Sequence, residues 1–218
     1  MIFEGTYRRF IAVKGGKAQI DARITHQESL ATAVVEPPGF EMTRAGRRFF
    51  LAYNGTAPTG IAPVQALPTT AAQWVIWNAD PTKTYFFKAL GAFPLSGTPG
   101  VGGQLLAALF TAPAQIGANA TGIVVGSGSN SAIASKAIVK SAVVLTGPAA
   151  GLWFSIAENP SPNVGAFPGS GLIVNRTIEG RIAVPPGQGL GLTVLALAGT
   201  TPLFGPLAEW IEQETDME

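Results

Sequence analysis

Trp74-Val75-Ile76-Trp77-Asn78-Ala79-Asp80-Pro81-Thr82-Lys83-Thr84-Tyr85-Phe86-Phe87-Lys88-Ala89-Leu90 reads as two apolar runs around a turn. Both runs are rich in aromatic and β-branched side chains, which fit a pleated, half-buried surface. Between them Asp80 precedes Pro81, a pair that favours a tight turn because proline presets φ and aspartate bonds its own backbone. The spacing predicts strands at Trp74–Asn78 and Thr84–Leu90, joined as a hairpin.

The same alternation of short apolar runs and turn residues extends in both directions. Upstream, Arg47–Tyr53 reads as a strand ending at Asn54-Gly55, and Pro58–Pro68 as a proline-rich loop. Downstream, strands are expected at Gly100–Phe110 and Gly122–Val125, then at Ala137–Leu145 and Leu152–Ala157 around Gly147-Pro148. Two more are expected at Thr177–Val184 and Gly189–Ala198, flanking Pro185-Pro186-Gly187. Leu207–Glu214 closes the chain as a strand or a short helix, and Gly126–Ser131 and Asn159–Gly171 read as loops. The 27 glycines and 17 prolines act as punctuation between these runs and not as one low-complexity block. Strands at such regular intervals, with no sustained helical period, predict an all-β, jelly-roll-like β-sandwich. Glu36-Pro37-Pro38-Gly39 interrupts the chain, so residues 1–40 read as an N-terminal extended arm, with a hairpin at Gly15-Gly16, and 41–218 as the sandwich domain.

Hydrophobic residues make up 47% of the 218 positions and charged residues only 12%, about half the usual charged share. So few charges cover a monomer's surface poorly, which points to surface hidden in contacts between subunits. The net charge of +1 is not that of a nucleic-acid-binding protein, and no nucleic-acid partner is expected. Charge is unevenly placed: residues 1–50 carry a balance of +3, residues 151–218 one of −5, and no charged residue lies between Lys88 and Lys136. There are no cysteines, which removes thiolate chemistry and disulfides. The opening MIFEGTYRRF has no apolar signal core. The uncharged stretch from Ile182 to Ala208 is broken by Pro185, Pro186, Pro202 and Pro206, so it reads as buried strands and no membrane association is expected.

The residues offer little for catalysis. His26 is the only histidine and sits in a polar stretch without a nucleophile motif, and one histidine cannot build a cupin-type metal site. Glu158, Glu179 and Asp80 are the acids that a carboxylate pair would have to use. Glu209, Glu212, Glu214, Asp216 and Glu218 read as solvated tail acids. Gly126-Ser127-Gly128 lacks the lysine and helix of a phosphate loop. The expectation is a non-enzymatic protein with no cofactor, no metal and no catalytic residues. Candidate interaction residues are Arg44, Arg47 and Arg48, which lead into Phe49 and Phe50, and the large rings Trp153 and Trp210. Trp74 and Trp77 read as core or subunit interface.

Four pieces, in order, resemble virion structural proteins of tailed phages. They are Arg44-Ala45-Gly46-Arg47-Arg48-Phe49-Phe50, then Trp74-Val75-Ile76-Trp77-Asn78 with the strand through Tyr85-Phe86-Phe87. Ile178-Glu179-Gly180-Arg181-Ile182-Ala183-Val184-Pro185-Pro186-Gly187 follows, and Trp210 with Glu212 and Glu214 closes the series. The resemblance implies a jelly-roll-like fold, a homotrimer, a major capsid protein as partner, and a place on the capsid surface as a cement or decoration protein made in the host cytoplasm. Residues 1–40 lie outside it. The same composition also fits a tail, fibre or knob protein that binds a host glycan, and, further off, a glycan hydrolase on the same scaffold.

Overall fold

In a computed structural model the apolar runs are extended, and they assemble into two five-stranded antiparallel sheets. The structure describes residues 22–24, 30–32, 40–53, 60–96, 103–111, 122–129, 132–159, 174–195 and 203–215. The chain divides into two compact units, Met1–Glu41 and Met42–Glu218. In the first, β1 (Ala22–Ile24) pairs with β2 (Leu30–Thr32). The hairpin expected at Gly15-Gly16 lies outside the described residues. A single helical turn not foreseen from the sequence, α1 (Phe40–Arg44), precedes the sandwich strands.

The second unit holds β3 (Arg48–Tyr53), β4 (Ala71–Asn78), β5 (Lys83–Ser96), β6 (Gly103–Phe110) and β7 (Ile123–Ser127). It continues with β8 (Ala137–Val144), β9 (Phe154–Asn159), β10 (Val174–Val184), β11 (Gly189–Leu195) and β12 (Leu203–Glu214). The first sheet has the order β10-β5-β12-β3-β7, the second β8-β4-β11-β6-β9. Setting β7 and β8 aside, eight strands remain, and they pair first with last, second with seventh, third with sixth and fourth with fifth: β3 with β12, β4 with β11, β5 with β10, β6 with β9. That nested pairing is a jelly roll, a long antiparallel ribbon wound into two sheets. The extra strands β7 and β8 widen the two sheets by pairing with β3 and β4 respectively.

This topology overturns the expected hairpin. β4 and β5 do not pair; the Ala79–Thr82 turn carries the chain from one sheet to the other. Pro185-Pro186-Gly187 likewise passes from β10 in the first sheet to β11 in the second, while β8 and β9, on either side of Gly147-Pro148, lie at opposite edges of one sheet. Fully buried Asn78 explains the first crossing. Its Nδ2 donates to the carbonyls of Lys83 (2.7 Å) and Val184 (2.9 Å), so the end of β4 is tied to the first sheet, and its Oδ1 accepts from Asp80 N. The second crossing is a type II turn, with Pro186 at the position that fixes φ and Gly187 at φ +71°, closed by Gln188 N donating to Pro185 O.

The main core lies between the sheets. Phe49, Leu51, Tyr85, Phe87, Phe204 and Trp210 come from the first sheet and Trp74, Ile76, Leu105, Leu190 and Leu192 from the second. Lys88 has no partner on β12, where register jumps between Glu209 and Trp210, and this bulge lets both Tyr85-Phe87 and Leu90-Ala92 face inward. The second sheet also carries a smaller core on its outer side, formed by Ala72, Val75, Ala108, Phe110, Val143 and Leu145, with Trp77, Ala150 and Trp153 packed against it. The segment 145–153 crosses this face as a cap, so β11 is buried on both sides.

β11 meets this demand by alternation, with Leu190, Leu192 and Val194 inward and Gly189 and Gly191 outward. A methyl group on Gly189 would lie 2.3 Å from the ring of Phe110, which stacks on Trp77 at 5.7 Å. Gly189→Ala is therefore expected to cost about 1–3 kcal/mol through overpacking. A urea midpoint that does not move would show that the Phe110 ring can shift without loss.

Candidate functional site

Of the five predicted interaction residues, two are exposed. Arg44 ends α1 and Arg47 follows the turn closed by Gly46 N to Thr43 O; both are exposed. Arg48 has an acidic neighbour within its own chain: its Nε donates to Glu209 Oε1 at 2.7 Å across β3 and β12. Trp153 is half-buried at the rim of the cap, where its Nε1 donates to Thr69 O at 3.0 Å. Trp210 is the correction. It is fully buried, with Phe49 at 6.2 Å and Tyr85 and Phe87 at 6.0 Å, because it sits on the inward parity of β12 in the middle of the first sheet. It holds the core and offers no surface to a partner.

The same parity corrects the reading of one tail acid, Glu212; Glu214 is exposed, and Asp216 and Glu218 lie outside the described residues. Two residues beyond Trp210, Glu212 also points inward and is 1% exposed. Its Oε1 accepts from Ser135 Oγ (2.5 Å) and Trp210 Nε1 (3.3 Å), and its Oε2 lies 3.5 Å from Lys83 Nζ. Asp80, also buried, completes the group: Oδ1 accepts from Thr82 N and Thr82 Oγ1, and Oδ2 lies 3.8 Å from Lys83 Nζ and 3.6 Å from Lys136 Nζ. Burial pushes the Asp80 carboxyl up, but the Thr82 hydrogen bonds and the Lys136 and Lys83 charges together hold it below the usual carboxylate range. Two carboxylates and two ammonium groups thus neutralise each other where the β4–β5 turn, the approach to β8 and the end of β12 meet. Such an arrangement fixes the end of the sandwich: its carboxylates are already engaged by donors. The period-2 pairing of Trp210 with Glu212 was the sequence signal for it.

Glu179, another acid considered for catalysis, does not join this group. Glu179 is exposed on a bulge of β10, where it and Gly180 both have positive φ (53° and 79°) and four residues loop out between Thr177 and Ile182. The side chain of Glu158 lies outside the described residues. Among the described residues no cluster of three or more His, Cys, Asp or Glu is placed to hold a metal ion.

An open cleft of about 560 Å³ lies between the edge strands β9 and β10. Its floor is apolar (Ile156, Ile178, Ile182, Leu109) and its rim carries Phe154, Ser155, Thr177 and Arg181. Of the segments expected as loops at Gly126–Ser131 and Asn159–Gly171, Gly126 and Ser127 belong to β7, and 160–171 lie outside the described residues.

Charge divides the two sheets unequally. The strands of the first sheet carry Arg48, Lys83, Lys88, Arg176, Glu179, Arg181, Glu209, Glu212 and Glu214; those of the second carry Lys140 and Glu158. Beside the charge-poor sheet, Leu67, Val144 and Leu152 stand 63%, 57% and 67% exposed. Comparison with protein-family models, curated proteins and solved structures finds no match for the chain.

Proposed function

We propose that the chain is a non-enzymatic structural protein of a virion, a capsid cement or decoration protein that works as a homotrimer on the shell. The observation that carries this reading is the pairing of a jelly roll with a charge-poor second sheet on which Val144, at the end of β8, and Leu152, in the cap, are exposed. Apolar surface of that kind is stabilised by burial against a neighbour. A subunit built this way gains stability from assembly by mass action. Six of its charged groups serve the fold, in the Asp80–Lys83–Lys136–Glu212 cluster and the Arg48–Glu209 pair. The major capsid protein is the partner this role requires.

The test is the composition of particles purified from cells that carry the gene. Expected is the chain in the capsid fraction in multiples of three copies, with capsids that break at lower temperature when the gene is deleted. Its absence from purified particles would overturn the virion role. A second reading, a glycan-binding virion protein, is favoured by the cleft, where an exposed ring, a guanidinium and two hydroxyls line one opening. Arg181→Ala would then abolish binding to a glycan array while leaving capsid occupancy unchanged.

A further inference from the structure

We propose that the cleft between β9 and β10 takes a sugar that carries a carboxylate, with Arg181 as the group that recognises it, an inference that rests on the reading of this cleft as a glycan site. The two strands are the outer edges of opposite sheets, so the cleft is an open side of the sandwich. Its volume of about 560 Å³ lies within the range of small-molecule sites.

Both edge strands are bulged where they line it. On β9 the pairing with β6 shifts between Leu105 and Leu106 and leaves Ile156 without a partner residue. On β10 the residues Ile178 to Arg181 loop out between Thr177 and Ile182, with Glu179 and Gly180 at φ 53° and 79°. Positive φ at two successive residues is the pattern of a tight I′ turn, and glutamate is an unusual residue in its first place. Bulges at sheet edges re-aim side chains and end pairing. Here Ile156 and Ile178 are buried in the floor and Arg181 is exposed on the rim. Edges interrupted in this way offer no continuous ladder to an extended peptide, so the opening suits a compact ligand better than an added strand.

The chemistry of the rim selects that ligand. Arg181 is the one charged side chain among the residues that line the cleft, and among the described residues it has no ion-pair partner. A guanidinium matches a carboxylate in charge and in its planar pair of acceptors. A phosphate monoester brings more negative charge than one arginine offsets. Phe154, 39% exposed, presents an apolar ring to the C–H face of a pyranose. The exposed Ser155 and Thr177, one on each strand, supply hydroxyls for the ring substituents.

The experiment begins with the full chain on an array of uronic-acid and sialic-acid glycans, each beside its neutral counterpart, with sulfated glycans added. The best binder is then titrated calorimetrically into Arg181→Ala, Arg181→Lys, Phe154→Ala and, as a control on β8 at the far edge of the second sheet, Lys140→Ala. Expected is binding to the acidic sugars at least about tenfold tighter than to their neutral counterparts, weakened about tenfold or more by Arg181→Ala. Arg181→Lys should restore only part of the loss, because its point charge lacks the fork. Phe154→Ala should weaken acidic and neutral sugars alike, and Lys140→Ala should bind as the natural chain does. The Arg181 and Phe154 variants should melt with the natural chain, since both side chains are exposed. Equal binding of acidic and neutral sugars overturns the carboxylate and leaves the glycan reading standing, and so does a preference for the sulfated glycans. Full binding by Arg181→Ala overturns the cleft as the site. A chain that binds no sugar overturns both readings, and if it binds decanoate and Arg181→Ala does not, the cleft belongs to an apolar carboxylate.

Discussion

Trp210→Ala is expected to lower the unfolding free energy by about 3–5 kcal/mol, the range for removing a fully buried large ring. Three rings surround the indole at 6.0–6.2 Å, and β12 is the strand that pairs with both β3 and β5. The cavity therefore opens at the middle of the first sheet, where packed rings on both sides limit collapse. For a domain of ordinary stability this is a large share of the total. Trp210→Phe should cost less, since a ring is kept and only part of the volume and the bond to Glu212 are lost. Urea denaturation followed by circular dichroism gives the numbers. A loss under about 1 kcal/mol for the alanine variant would mean that Trp210 is not the core residue its burial indicates, and would return it to the set of surface candidates.

Strand content was readable because alternation and turn residues are local. The strands expected at Trp74–Asn78 and Thr84–Leu90 form, within the longer Ala71–Asn78 and Lys83–Ser96, and the segment from Leu207 to Glu214, read as a strand or a short helix, is part of the strand Leu203–Glu214. Which strand lies beside which was less readable. Ala79–Thr82 and Pro185–Gln188 have ordinary turn chemistry, and nothing local distinguishes a hairpin turn from one that crosses between sheets. The crossing is decided by Asn78, whose side chain bonds two carbonyls of the opposite sheet, one of them in residue 184. Low charge was read as a sign of subunit contact, and the structure shows part of that apolar content used at home: the 145–153 cap gives the second sheet a core on its outer side. The interaction residues divided on the same principle. Exposure of Arg47 follows from its place before a strand, whereas the fates of Trp210 and Glu212 depend on which face of β12 meets the core, the face they share with Phe204 and Ala208.

Glu212→Ala should cost about 3–5 kcal/mol, nearly as much as the loss of Trp210, although it removes a charge from the interior. The carboxylate is 1% exposed and serves three donors, and its removal leaves Ser135 Oγ and Trp210 Nε1 without that acceptor and Lys83 with Asp80 alone. Breaking a buried pair on one side is costly because the remaining group keeps its desolvation without its partner. Lys83→Met/Glu212→Leu, which removes both charges, should recover much of the loss, and a double variant no better than Glu212→Ala would mean that the pair itself is not the source. Asp80 makes the cluster sensitive to acid. Its carboxyl is held below its ordinary value in the folded chain, so its contribution is fully present above the unfolded pKa of about 4 and is lost as pH falls through the lower folded value. Lys136, 59% exposed, is screened by solvent and adds little to this, so the Thr82 bonds and Lys83 carry most of the effect. Stability measured from pH 6 down to pH 2 should fall steeply below about pH 4 in the natural chain and less steeply in Asp80→Asn, which keeps the side-chain shape without the titrating proton. Equal slopes in the two proteins would place the acid sensitivity elsewhere, and would reduce Asp80 to the turn residue its sequence first suggested.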